Sequence, residues 1–217
     1  MSPSDPECHI LFFNPCEDSL LVCQPGDLKF NKQENVFGND YSPWNLTVVG
    51  KTIYALTTPG YTLFTGEFVG PKVEFTRLIM GEFLSLSPPD VLFEKQFHIE
   101  CGGELFLVHM MYFGLYMDDV YGFFVFQMDF AEKKWVRVKS IGERTIFVSE
   151  HRWTYGMYSL GTELGIKPNS IYYTRGYTRN PDRMLYVYDL ENLSISKSLP
   201  CPIVSRNSML YWAMIYC

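Results

Sequence analysis

The stretch Val125-Phe126-Gln127-Met128-Asp129-Phe130-Ala131-Glu132-Lys133-Lys134-Trp135-Val136-Arg137-Val138 decides the fold. An apolar run closes on an aspartate, a polar turn follows, and a large apolar side chain returns six positions after the acid. A second copy reads Leu185-Tyr186-Val187-Tyr188-Asp189, then a turn over 190–194, then Ile195. A short polar side chain at a strand end accepts a hydrogen bond from a backbone N–H one or two residues on and so closes the turn locally. The bulky residue after the turn restarts the strand against a neighbouring sheet.

Weaker copies follow the same grammar. Ile53-Tyr54-Ala55-Leu56-Thr57 leads through Pro59-Gly60 to Leu63, and Ile10-Leu11-Phe12-Phe13-Asn14 leads to Leu20-Leu21-Val22. Between the copies lie further strand-like runs, at Leu105–Val108, Thr145–Val148 and Ser170–Thr174. Each unit is therefore expected to hold three or four strands, and repeated hairpins that cannot bury a face alone must stack on their neighbours. The expected fold is all-β, a propeller-like array of about four antiparallel blades. Four units are few for a closed ring, which leaves an incomplete or open array as one expectation, with an exposed sheet edge.

Composition agrees. The 217 residues are 47% hydrophobic, 17% aromatic and only 19% charged, and Phe and Tyr suit half-buried pleated surfaces. That length is expected to form one domain spanning 1–217. Helix signals are thin: Ser-Pro-Pro interrupts residues 81–91, and Gly156, Gly161 and Gly165 break the pattern over 150–167, which reads as a long connection. The tail Met209–Cys217 is apolar and reads as a closing strand or part of a missing blade. Trp135 is expected in the core.

The charge balance is −6 with no long basic tract, so nucleic acid is not an expected partner. No apolar run approaches the roughly 18 to 20 residues that span a bilayer, so a membrane is not expected either. Six cysteines without a C-x-x-C pair, and an N-terminus without a cationic leader, suggest reduced thiols in the cytoplasm or nucleus. The sequons at Asn45 and Asn192 would matter only in a secreted chain.

Chemistry-bearing constellations are sparse. His9, His98, His109 and His151 show no H-x-H or H-E-x-x-H spacing, so no metal site is expected. Asp118-Asp119 and the pair Glu100 and Glu104 could supply carboxylates, although a turn is the simpler reading of the first pair. No nucleophile elbow, P-loop or dinucleotide fingerprint is present. Residues 132–139 mix basic and aromatic side chains as some RNA-binding surfaces do, yet the alternation also fits a strand with one solvated face. The expected catalytic, cofactor and metal residues are none. A partner-binding patch is expected at Arg152, Trp153, Tyr155 and Tyr158, because Trp, Tyr and Arg dominate interface hot spots.

From Glu100-Cys101-Gly102-Gly103-Glu104-Leu105-Phe106-Leu107-Val108 through the opening stretch to Ile141-Gly142-Glu143-Arg144-Thr145-Ile146-Phe147, the chain resembles a plant family. That family is the F-box-associated β-propeller group related to the kink-suppressed proteins, long catalogued as a domain of unknown function. Asn169–Thr174 and Val187–Leu190 continue the match in order, so it is specific over about 100–195 and looser over 8–70. The family's usual Leu-Gly-Asp-Arg is Ile141-Gly142-Glu143-Arg144 here, and its usual Phe after the Ile-Tyr pair is Tyr173. The resemblance implies a propeller that presents substrates to a ubiquitin ligase, beside an F-box that recruits a Skp-type adaptor. No F-box is present in these residues, so such an adaptor is not expected on this chain. A non-enzymatic protein-interaction propeller with an unknown protein partner is the expected function. The alternative is a propeller hydrolase with an acidic site built from loops at a central channel.

Overall fold

In the computed structural model the described residues are 8–14, 17–38, 41–58, 62–78, 91–113, 119–149, 155–174 and 184–200. The chain forms two compact units, Met1–Phe83 and Leu84–Cys217.

The first unit holds two sheets. Strands β1 (Ile10–Asn14), β2 (Ser19–Cys23) and β3 (Asn31–Glu34) form one. Strands β4 (Ser42–Val49), β5 (Thr52–Thr58), β6 (Thr62–Val69) and β7 (Lys72–Leu78) form the other, in sequence order. Leu20 and Val22 of the first sheet pack on Ile53 and Val73 of the second, all at most 3% exposed. The Gln33 amide joins the two as a strand residue would: its Nε2 donates to the Val73 carbonyl at 3.1 Å and its Oε1 accepts from the Val73 N–H at 2.8 Å.

The second unit also holds two sheets. Strands β8 (Val91–Cys101), β9 (Glu104–Phe113), β10 (Asp119–Asp129) and β11 (Lys134–Val138) make an antiparallel meander. The other sheet has β12 (Arg144–Ser149), β13 (Tyr155–Leu160), β14 (Ser170–Thr174), β15 (Met184–Asp189) and β16 (Ser194–Pro200), with a one-turn helix α1 (Gly161–Leu164) after β13. Its order is β13-β12-β14-β15-β16, and β12 and β14 run parallel, the exception to otherwise antiparallel pairing. Alternate residues of both sheets meet in one core, where Phe123 packs 5.0 Å from the Tyr173 ring and 5.1 Å from the Tyr188 ring. Each such fully buried aromatic contributes on the order of 2 to 3 kcal/mol from area alone.

All four expected hairpins form, one in each sheet, and their registers agree. Asn14 pairs with Ser19, Thr57 with Thr62, Asp129 with Lys134, and Asp189 with Ser194. The fourth residue after the anchor is left-handed in every described turn: Asp18 at φ 44°, Lys133 at 51° and Leu193 at 51°. The aspartates close their turns as expected, each accepting two backbone N–H groups. Thr57 acts differently, donating from Oγ1 to the Thr62 carbonyl at 3.2 Å.

Two expectations need correction. Residues 150–167 are not one long connection, because β13 and α1 lie within them. The glycines read there as breakers have other reasons. A Cβ on Gly156 would fall 2.5 Å from Ile99 Cδ1, and one on Gly161 would fall 2.9 Å from the Pro168 backbone. Both mark close approach, while Gly165 at φ 63° ends the helix. Trp135 is half-buried rather than in the core, because β11 is an edge strand. The segment 81–90 and the tail 209–217 lie outside the described residues.

Candidate functional site

The two ends of the second unit are built differently. At one end lie the turns 101–104 between β8 and β9, 129–134 between β10 and β11, and 189–194 between β15 and β16, together with the crossover 161–169 that carries α1 from β13 to β14. Asp129 Oδ1 accepts from Ala131 and Glu132 at 3.0 and 2.9 Å. Asp189 Oδ1 accepts from Glu191 and Asn192 at 2.9 and 3.2 Å, and its Oδ2 takes the Asn192 amide at 2.7 Å and Lys167 Nζ at 2.6 Å. Lys167 first, then the Asn192 amide, hold this carboxyl well below the usual range. Glu104 ties the sheets together here, pairing with the Arg144 guanidinium and accepting from Gln127 Nε2 at 2.7 Å.

Carboxylates engaged in this way close turns and join sheets. Each of these side-chain bonds serves a turn or a join between strands or sheets. Glu100 is likewise used, taking the Gly103 N–H at 2.6 Å in the β8–β9 turn. Asp119 starts β10 and is exposed. Arg137 lies over the Phe124 ring at 3.6 Å, so the basic-aromatic run is an ordinary edge strand with its cation stacked on its own sheet.

The opposite end carries the connections 114–118, 150–154 and 175–183, each leaving the last paired residues of two strands. Arg144 and Glu104 join the two sheets at the turn end, and the strand ends Phe113, Ser149 and Thr174 lie away from it. Aromatic side chains stand exposed there: Phe113 and Tyr121 pack edge to face at 4.6 Å, and Phe93 is the third residue of the adjoining strand β8. Sequence reasoning missed these three, because strand register alone brings Phe113 against Tyr121 and puts Phe93 near the same end of the sheet.

Of the four residues expected to bind a partner, Tyr155 begins β13 at this end, pairing with Ser149. Tyr158 lies three residues further along and packs, half-buried, against the inter-sheet core, with its hydroxyl directed at Gly102 on the turn side. Arg152 and Trp153 lie outside the described residues, as does His151. The remaining histidines separate. His9 stacks on Phe68 at 3.7 Å in the first unit. His98 and His109 lie on neighbouring strands β8 and β9, both buried, with Glu94 Oε2 3.2 Å from His109 Nδ1. Among the described residues no group of three or more His, Cys, Asp or Glu is placed to hold a metal ion. Cys8, Cys23 and Cys101 are free thiols, and burial pushes the Cys101 thiol up, away from the reactive thiolate. No helix among the described residues is long and apolar enough to cross a membrane.

Sheets of three to five strands, each built around one copy of the same hairpin, define a β-propeller. The particular family follows from comparison: the profile of the KIB1-4 beta-propeller matches residues 1–193, and the chain belongs to that family. The resemblance read from residues 100–195 is thus borne out, and the match extends through the looser N-terminal part. No curated protein matches the chain.

Proposed function

We propose that this propeller binds a protein partner through the loop end of its second unit, in the manner of the substrate-recognition part of F-box ubiquitin-ligase receptors. The observation that carries this reading is the asymmetry of that unit. One end carries the aspartate-anchored turns and the β13–β14 crossover, tied to each other through Lys167 and Asp189, and the other exposes Phe93, Phe113 and Tyr121 near its strand ends. Rigid strands that present aromatic side chains and loops at one end suit recognition, where Tyr, Trp and Arg supply most of the binding energy. Arg152 and Trp153, in the 150–154 connection, and Tyr155 at its edge complete the patch in this reading; Tyr158 serves the core beneath it. The free thiols support the cytoplasm or nucleus as the compartment.

The test is affinity capture with chemical crosslinking, comparing the natural chain with Trp153→Ala, Phe113→Ala and the surface control Lys133→Ala. Reproducible partners lost from the first two variants and kept by the control are expected. Partners retained by both loop-end variants would place the binding surface elsewhere, and an absence of reproducible partners would sink the reading.

A further inference from the structure

The four sheets have β1 and β3, β4 and β7, β8 and β11, and β13 and β16 at their edges. A free edge offers backbone N–H and C=O groups to any other extended chain, and folded proteins blunt such edges with charge, proline, a bulge or a covering element. Among the described residues, every edge but one carries a device of this kind. Strand β3 bears Lys32 and Glu34, β11 bears Lys134 and Arg137, and β16 bears Lys197. Strand β7 bears Lys72, Glu74 and Arg77, and the Gln33 amide holds both backbone groups of its Val73. Strand β4 has Pro43 and a register shift between Pro43 and Asn45. Strands β8 and β13 lie against each other where Gly156 meets Ile99, and β8 adds Glu94 and Lys95.

Strand β1 has none of these. Its sequence, Ile10-Leu11-Phe12-Phe13-Asn14, is uncharged and lacks proline, and it follows β2 in unbroken register from Ile10 opposite Cys23 to Asn14 opposite Ser19. Leu11 and Phe13 turn onto the clusters shared with the second sheet. Ile10 and Phe12 lie on the other face, 42% and 56% exposed, and Phe30, 44% exposed, stands edge to face with Phe12 at 5.5 Å. An unblunted edge and an exposed apolar strip thus coincide on one strand.

We propose that β1 pairs antiparallel with β1 of a second copy of this chain, about a two-fold axis at Phe12. The choice of a second copy rests on charge. Pairing about a two-fold axis sets each edge residue against its own copy or a near neighbour's, and like charges opposite each other destabilise a ladder. Strand β11, with Lys134 and Arg137 and no acid, repels its own copy in any such register. Strand β1 brings no charge to the axis: Phe12 meets the partner's Phe12, and Leu11 meets the partner's Phe13. The aromatic pair and the ladder bonds hold the contact, and the two-fold closes it at a dimer.

The experiment is sedimentation equilibrium of the full chain over a wide range of concentration, for the natural protein, Phe12→Lys, Phe12→Glu and an equal mixture of the two variants. The natural chain should form dimers as its concentration rises. Each variant sets a charge against its own copy and should dimerise at least about tenfold more weakly, whereas the mixture, with Lys facing Glu, should recover dimers. A natural chain that stays monomeric throughout, its edge covered by its own remaining residues or reserved for a different protein, would overturn the proposal. Dimers that persist unchanged in both variants, or a mixture no better than either alone, would do the same. Should the variants not fold, hydrogen exchange of the natural chain decides. Slower exchange at residues 10–13 as concentration rises upholds the pairing, and exchange independent of concentration overturns it.

Discussion

Asp129 and Asp189 occupy the same place in two successive sheets, and each accepts the backbone N–H groups two and three residues on. Only Asp189 also meets a cation, Lys167, whose ammonium lies 2.6 Å away at the end of the crossover that leads into β14. One carboxylate closes its own turn. The other closes its turn and anchors a segment 22 residues distant in sequence.

From that difference, Asp129→Ala should cost about 1 to 2 kcal/mol, the value of two local hydrogen bonds, and Asp189→Ala about 2 to 3 kcal/mol. Urea unfolding would measure both, and equal losses would remove the special role of Lys167. The pH dependence has its own sign. Asp189 is held below its ordinary 3.8, so its contribution is present above that value and fades as the pH falls below it. The gap between the natural protein and Asp189→Asn should therefore begin to narrow as the pH falls below 3.8 and go on narrowing further into acid.

Leu193 adopts φ 51° at an exposed turn position without being glycine. A left-handed conformation costs a side chain about 1 to 2 kcal/mol, and glycine's greater freedom in the unfolded chain offsets part of the relief. Leu193→Gly should raise stability by up to about 1 kcal/mol. A lowered melting temperature would show that the side chain contributes more in place than the backbone strain costs.

Gly156 leaves no room for a methyl group, because a Cβ would lie 2.5 Å from Ile99 Cδ1 and 2.7 Å from Cγ1. Gly156→Ala should destabilise by about 1 to 3 kcal/mol through overpacking. Combining it with Ile99→Ala should recover part of that loss relative to the sum of the single changes. Strict additivity in the double-mutant cycle would count against this contact.

Trp135 sits on an edge strand, half-buried, with a buried Nε1 that has no hydrogen-bond partner. Trp135→Phe removes that unpaired N–H and keeps most of the packing, so it should fall within about 1 kcal/mol of the natural protein. Trp135→Ala should cost about 1 to 3 kcal/mol, less than a fully buried ring. Thermal melts of the two variants would check the order.

The hairpins were legible in the sequence because their causes are local. Apolar alternation, a capping aspartate and a restarting Trp135 or Ile195 lie within about ten residues of one another, and turn chemistry acts over that distance. Residues 155–160 were not legible. Gly156 reads as a breaker by itself, and its reason, the Ile99 side chain on another strand, belongs to a different sheet. The candidate site divides the same way: Arg152, Trp153, Tyr155 and Tyr158 were proposed from residue type, while Phe93, Phe113 and Tyr121 needed the register of three strands.

The sequence by itself determined an all-β chain of four repeated hairpins and its likeness to a propeller family, since those rest on periodicity and short-range hydrogen bonding. Only the tertiary structure decided the parallel pairing of β12 with β14, the Arg144 and Glu104 tie, and the meeting of His98 with His109. These depend on which strands become neighbours, and that is settled by burying whole faces of sheets, a cooperative outcome that no local stretch of residues encodes.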